Sequence, residues 1–281
     1  MLAVALGLLV AGAYGAGDYL GGRASSTSST PGVLLMSQAS AAIGAIAVAL
    51  AFSATVTTHD LVFGALAGAF NVLALGSLYQ GLSTGRMSLV APITAVVGSI
   101  FPITWGIIEG ERPSTIVIIG AIAAVCAGAL IGIAHTSERT DGAGVAVFLA
   151  IAAGVGFGTS FILFAKTAHE SGNWPVLTAR ISAVVVVSAG IMVLARRQPI
   201  RFPQGRDRWV ALAAGALDVA GTTLLLLAVR HGLIVVVAPV AALGPAFTVV
   251  LAWAILKEHI SRLQLTGLLI ALPALMLIAT G

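Results

Sequence analysis

Apolar stretches of about 20 residues recur from one end of this chain to the other, separated by short polar links. A helix rises 1.5 Å per residue, so about 20 residues reach across a hydrocarbon core of about 30 Å. Cutting the chain at polar or turn-rich points gives ten spans, at 2–22, 33–53, 61–81, 88–108, 115–134, 144–166, 175–195, 209–229, 234–255 and 262–280. Composition points the same way: 59% of the residues are hydrophobic and 9% charged, against about 45–50% and about 25% in a soluble domain. The mean hydropathy is +1.07. The chain therefore reads as an all-α integral membrane protein of ten transmembrane helices.

The basic excess, 14 Lys and Arg against 10 Asp and Glu, is concentrated. Arg196, Arg197, Arg201, Arg206 and Arg208 share one short link, which suits anionic lipid headgroups better than a nucleic acid. Links after odd-numbered spans carry most of the Lys and Arg, so the positive-inside rule places them in the cytoplasm and both termini outside. A single cysteine, Cys126, gives no disulfide or thiolate cluster within one chain. The apolar amino terminus lacks the basic region of a secretory signal and is read as a retained helix.

Shifting the chain against itself by 147 residues brings Gly68 over Gly215, Asn71 over Asp218 and Gly85 over Gly232. The same shift brings Val90-Ala91-Pro92 over Val237-Ala238-Pro239, Glu111 over Glu258, Ser114 over Ser261 and Gly120 over Gly267. Nearer the amino terminus a shift of 143 lays Ala13-Tyr14-Gly15 over Gly156-Phe157-Gly158. Each unit, 1–137 and 138–281, then holds five spans, and an odd number inverts the second unit in the membrane. Two inverted five-helix repeats suit an alternating-access transporter, in which mirrored halves exchange shapes around a fixed central site.

The paired motifs resemble the EamA family of the drug/metabolite transporter superfamily. They are an aromatic-Gly in the first helix of each unit (Tyr14-Gly15, Phe157-Gly158), Val-Ala-Pro in the fourth, and Gly110-Glu111-Arg112 closing it. The resemblance covers essentially the whole chain and implies export of amino acids, metabolites or drugs across the cytoplasmic membrane, with proton coupling. It also implies both termini in the cytoplasm, opposite to the loop charges. The family's usual Trp-Gly is Tyr-Gly and Phe-Gly here, and Gly-Glu-Arg becomes Lys257-Glu258-His259 in the second unit.

Ionisable side chains at mid-membrane are costly and face a cavity or a partner. Asp218 lies near the midplane of its span and is the first candidate for a proton or cation site, with Asn71 as its repeat mate. Arg180 begins about 7 Å below the surface, counted at 1.5 Å per residue, and is expected to snorkel outward; turned inward, it would pair with Asp218 or hold an anionic group. Asp18 is expected to form an interfacial ion pair with Arg23. Tyr14, Tyr79, Gln80, Thr94, Thr159 and Ser160 offer hydrogen-bonding groups for a cavity wall, and each alone suits a helix contact. Glu111, Glu258, Ser114 and Ser261 read as structural, Ser261 with Gln264 as a capping box. Gly120, Ala124, Gly128 and Gly132 form a smooth stripe for packing within the monomer.

Pro92, Pro239 and Pro245 fall inside spans, where a membrane bundle lets a helix bend around freed carbonyls. They predict two related bent gating helices, with asymmetry at Pro245, opposite Gly98 in the repeat. No phosphate-cradling loop, metal set or nucleophile elbow is present in the sequence, so no enzyme activity, cofactor or metal is expected. The expected partners are a small-molecule substrate, the lipid bilayer and protons, with a homodimer as a further option and no nucleic acid. The competing readings are a metabolite uptake permease and a non-transporting membrane scaffold or accessory subunit.

Overall fold

The structure is a computed structural model that describes residues 1–25, 27–51, 53–83, 87–132, 143–196, 199–251 and 261–280. Its elements are α1 (Leu2–Ser25), α2 (Thr30–Ala51), α3 (Thr58–Ser83), α4 (Met87–Ile108), α5 (Thr115–Gly132) and α6 (Ala143–Ala165). They continue with a 3₁₀ turn (His169–Ser171), α7 (Trp174–Leu194), α8 (Gly205–His231), α9 (Ile234–Ala241), α10 (Gly244–Leu251) and α11 (Arg262–Thr280). Seven of these, α1, α2, α3, α6, α7, α8 and α11, are long and apolar enough to cross a membrane; α4 and α5 contain the shorter apolar stretches Ile93–Ile108 and Thr115–Ile131.

Bulky apolar side chains sit outside and small ones inside. Ile43, Phe148 and Met192 are about 70% exposed, at 70%, 69% and 70%, while Ala41, Ala45, Ala150 and Ala179 are fully buried. Lipid tails are as apolar as leucine, so what draws such helices together is close backbone approach through small residues. Helix α1 packs on α8 and α3 on α6; α2 packs on α8 and α3 on α7; α5 packs on α11.

Glycines mark the tightest crossings. A Cβ at Gly120 would lie 2.8 Å from Ile278 Cγ1 and 3.0 Å from the Ala274 carbonyl oxygen. A Cβ at Gly267 would lie 2.7 Å from Ile131 Cγ1 and 2.8 Å from the Ala127 carbonyl oxygen. The stripe on α5 is thus spent on packing within the monomer. Likewise a Cβ at Gly68 would collide with the backbone of Ala179 on α7, and one at Gly215 with the backbone of Ser37 on α2.

The span expected at 234–255 is broken rather than bent. Helix α9 ends at Ala241, residues Ala242 and Leu243 form a turn, and α10 starts at Gly244 with Pro245 second; residues 252–260 lie outside the described ones. Pro245 has no N–H for the Ala241 carbonyl, and the chain tightens instead: Leu243 N–H donates to Val240 O (3.1 Å) and Ala246 N–H to Leu243 O (2.8 Å). Such i to i+3 bonds are the usual way a helix end closes. Pro239 lies within α9 without interrupting it. Helix α4, which carries Pro92 and has Gly98 opposite Pro245, runs unbroken; of Pro92 only the backbone is described. The Gly15 of the aromatic-Gly motif lets α1 meet this break, because a Cβ there would overlap the Gly244 carbonyl oxygen.

Glu111 holds the start of α9. Its two carboxylate oxygens accept from the Ile234 N–H (2.8 Å) and the Val235 N–H (3.0 Å). The residue is therefore structural, as expected, yet it caps a helix remote in sequence rather than its neighbour α5. Ser114 serves α5, accepting from Val117 N–H at 3.3 Å. Ser261 and Gln264 form the expected reciprocal capping box, at 2.9 and 3.2 Å. Glu258 lies outside the described residues.

Candidate functional site

Asp218 is the central residue of the 27-residue α8, so the packing of α8 between α1 and α2 carries its carboxylate to mid-depth in the bundle. Arg180 is the seventh residue of α7 and only 1% exposed. It does not snorkel. Its Nη1 donates to Asp218 Oδ2 at 2.5 Å and to Gln38 Oε1 at 2.9 Å. Gln38, fully buried on α2, returns a bond from its Nε2 to the same Asp218 oxygen at 2.9 Å. The outward path expected for Arg180 loses because α7 packs against α2 and α3, which turns this face of α7 inward, where a carboxylate and an amide are at hand.

Thr222, one turn beyond Asp218, extends the cluster. Its hydroxyl donates to the Asp218 carbonyl oxygen at 2.9 Å and accepts from Arg180 Nη2. The Tyr14 hydroxyl lies 3.1 Å from the same Thr222 oxygen. A threonine hydroxyl has one proton to give, and it is already committed to the carbonyl, so Tyr14 is the donor of this last bond. Five side chains from α1, α2, α7 and α8 thus form one connected network. Its charge-assisted bonds lie in a setting of low dielectric, where they are strong and where removing a single member is costly.

The remaining candidates fall at different distances from this centre. Asp18 on α1 is half-buried and close enough to Asp218 for the two carboxylates to repel. Its expected ion pair with Arg23 does not form among the described residues, and Arg23 is exposed at the helix end. Tyr79 is buried on α3 and within electrostatic reach of both aspartates. Asn71 is buried on α3, three residues past the Gly68 crossing, and makes no hydrogen bond to the cluster. Thr94 donates to the Ala150 carbonyl oxygen at 3.1 Å and joins α4 to α6. Thr159 bonds its own helix at Val155 O, 2.7 Å away.

Gln38 and Thr222 were not singled out by sequence reasoning. Both are uncharged, and neither raises the hydropathy alarm that Asp218 and Arg180 raise. A signal did exist for Gln38: under a shift of 142 residues it falls opposite Arg180 in the repeat, an uncharged polar residue facing a charged one. Thr222 is one helical turn from Asp218, where a hydroxyl shares its face.

Other charged groups serve the bundle end formed by α4, α6 and α8. Lys166 pairs with Glu109 at 2.5 Å and lies 5.3 Å from the Trp105 ring centroid. Arg230 donates to the carbonyl oxygens of Gly172 (2.8 Å) and Ala168 (2.5 Å), while Asp60 accepts from Ala168 N–H at 2.8 Å. No group of three or more His, Cys, Asp or Glu gathers as a metal site among the described residues.

Residues 144–280 match the sequence model of the EamA-like transporter family. No curated protein matches the chain. A solved crystal structure, described only as that of a protein, superposes with a TM-score of 0.70 at 16% identity, covering 98% of this chain and 96% of the other. At that identity the likeness shows the fold alone.

Proposed function

From a chain whose residues 144–280 belong to the EamA-like transporter family, within the drug/metabolite transporter superfamily, we propose a multi-pass secondary transporter that exports a small metabolite, amino acid or drug-like compound across the cytoplasmic membrane. It works by alternating access of two inverted five-helix units, 1–137 and 138–281, with protons as the coupling ion. The observation that carries this reading is the Arg180–Asp218–Gln38 triangle at mid-depth, joined through Thr222 to Tyr14. A charged network placed there is expensive to bury and is characteristic of a substrate or ion path.

The inverted repeat is supported by contacts that recur at one offset. Gly120 faces Ala274 and Ile278, and Gly267 faces Ala127 and Ile131, each pair 147 residues apart. Helix α1 on α8 and α3 on α6 are likewise mates under the repeat, as are α2 on α8 and α7 on α3. Gln38 and Arg180 then sit on mated helices and hydrogen-bond to each other. The broken α9–α10 segment adds irregular backbone within the bundle, a feature that transporters place beside their cavities.

The test is the metabolite profile of the medium from cells that overproduce the protein and from cells that lack it. Export predicts compounds enriched outside overproducing cells and retained inside deficient ones. Selective depletion from the medium would reverse the direction to uptake, and identical profiles would remove transport in favour of a scaffold.

A further inference from the structure

We propose that His169 and His231 form a binding site for a divalent transition-metal ion of the zinc and nickel class, at the bundle end where the link from α6 to α7 meets the end of α8. The two rings come from segments far apart in sequence, the 3₁₀ turn after α6 and the last residue of α8. Their centroids lie 5.2 Å apart and their planes cross at 71°. A zinc ion stands about 2.0–2.1 Å from an imidazole nitrogen and about 3.2 Å from the ring centre, so two rings ligating it at a tetrahedral angle have centres about 5.2 Å apart. The spacing of this pair is that of rings sharing one ion.

The proton on His231 is placed to suit a ligand. His231 Nδ1 lies 2.8 Å from the Leu227 carbonyl oxygen. A carbonyl only accepts, so Nδ1 carries the proton and the lone pair of the neutral ring is on Nε2. A backbone carbonyl behind the far nitrogen is how proteins orient a metal-ligating histidine and raise its basicity. Both histidines are exposed, so an ion and the waters that complete its shell can reach them from solvent.

The two residues are also held in place relative to each other. Arg230, next to His231 in the chain, reaches across to the turn that carries His169. Its Nη2 donates to Ala168 O (2.5 Å) and Ser171 Oγ (2.9 Å), and its Nη1 to Gly172 O (2.8 Å). The turn is held again where Glu170 O accepts from Thr55 N–H at 2.9 Å. Ordering the backbone before an ion arrives lowers the cost of binding. Charge agrees with this. Arg230 brings one positive charge, and the Asp60 and Glu170 carboxylates within its electrostatic reach bring two negative ones, while Lys166 and Glu109 pair with each other. The excess is negative and favours a cation. Imidazole selects zinc, nickel and copper, whereas magnesium prefers oxygen ligands. An ion shared by the two rings bridges the α6–α7 link to the end of α8 and stiffens this end of the bundle.

The experiment uses purified, untagged full-length protein in detergent, with Cys126→Ser to remove the thiol. Calorimetry with Zn²⁺, Ni²⁺ and Mg²⁺ is expected to show one saturable equivalent of Zn²⁺ or Ni²⁺ and none of Mg²⁺. His169→Ala and His231→Ala should each weaken Zn²⁺ binding at least tenfold, and His59→Ala should leave it unchanged. Both substituted side chains are exposed, and gel filtration verifies that the variants are folded. A second measurement needs no variant: Zn²⁺ should protect His169 and His231, but not His59, from diethyl pyrocarbonate, as read by peptide mass. No saturable binding, in which case the two rings merely touch, overturns the proposal. So does Mg²⁺ binding as tight as that of Zn²⁺, an affinity unchanged in either folded histidine variant, or modification of the two residues at the same rate with and without Zn²⁺. The metabolite profile that tests transport is independent of all these outcomes.

Discussion

Arg180 Nη1 and Asp218 Oδ2 meet at 2.5 Å between helices α7 and α8, the arginine 1% exposed and the carboxylate side chain 17%. The pair exists because α2 supplies Gln38 to bond both partners and α8 supplies Thr222 to the second guanidinium nitrogen. An isolated ion of either sign at this depth would be strongly disfavoured, and mutual satisfaction makes both tolerable.

That dependence predicts a non-additive stability pattern. Asp218→Asn or Arg180→Gln alone leaves an uncompensated charge and is expected to cost about 3–5 kcal/mol. The double variant exchanges the ion pair for neutral hydrogen-bonding groups and should recover most of the loss. Unfolding of the four proteins in one detergent measures the coupling. Additive single losses would contradict the pairing.

The α2–α8 crossing predicts a contrast between two glycines. Gly215→Ala places a methyl group against the Ser37 backbone and is expected to cost about 1–3 kcal/mol through overpacking. Gly22→Ala meets nothing within 4 Å and should be neutral or stabilise by up to about 1 kcal/mol through helix propensity. Melting temperatures of the two variants decide this.

Glu111 closes two N–H groups at the start of α9 from the α4–α5 link. Glu111→Ala is expected to lose about 0.5–2 kcal/mol, and Glu111→Gln, which keeps one acceptor, roughly half as much. Hydrogen exchange at Ile234 and Val235 should accelerate in the order wild type, Gln, Ala. Unchanged exchange in Glu111→Ala would show that the cap carries no weight.

Orientation follows from loop charge. With Cys126 replaced by serine, Gln204→Cys in the arginine-rich link is expected to resist a membrane-impermeant thiol reagent in whole cells and to react after permeabilisation. Ready labelling of intact cells would place that link outside and both termini in the cytoplasm.

Much of this architecture is legible in the sequence because hydropathy and repetition are properties of residues alone. Most apolar stretches mark their helices to within a few residues, and the matched glycines Gly120 and Gly267 turn out to sit at the α5–α11 crossing. What a span does with its proline is less legible. Pro239 and Pro245 promise a bend in one helix, and whether it bends or breaks depends on neighbours such as Gly15 that give the Gly244 carbonyl room. The site is half readable. Asp218 stands out by depth, but the inward turn of Arg180 depends on the packing of α7, and Gln38 and Thr222 gain meaning only beside the charges they satisfy.

The central claim is that this cluster is the working site of an exporter. Its most direct test compares the extracellular metabolite profile of cells producing the wild type with that of cells producing the Arg180→Gln/Asp218→Asn double variant, at matched membrane levels. The account predicts that compounds enriched by the wild type return to the level of cells lacking the protein. A double variant that enriches the same compounds as the wild type would contradict it.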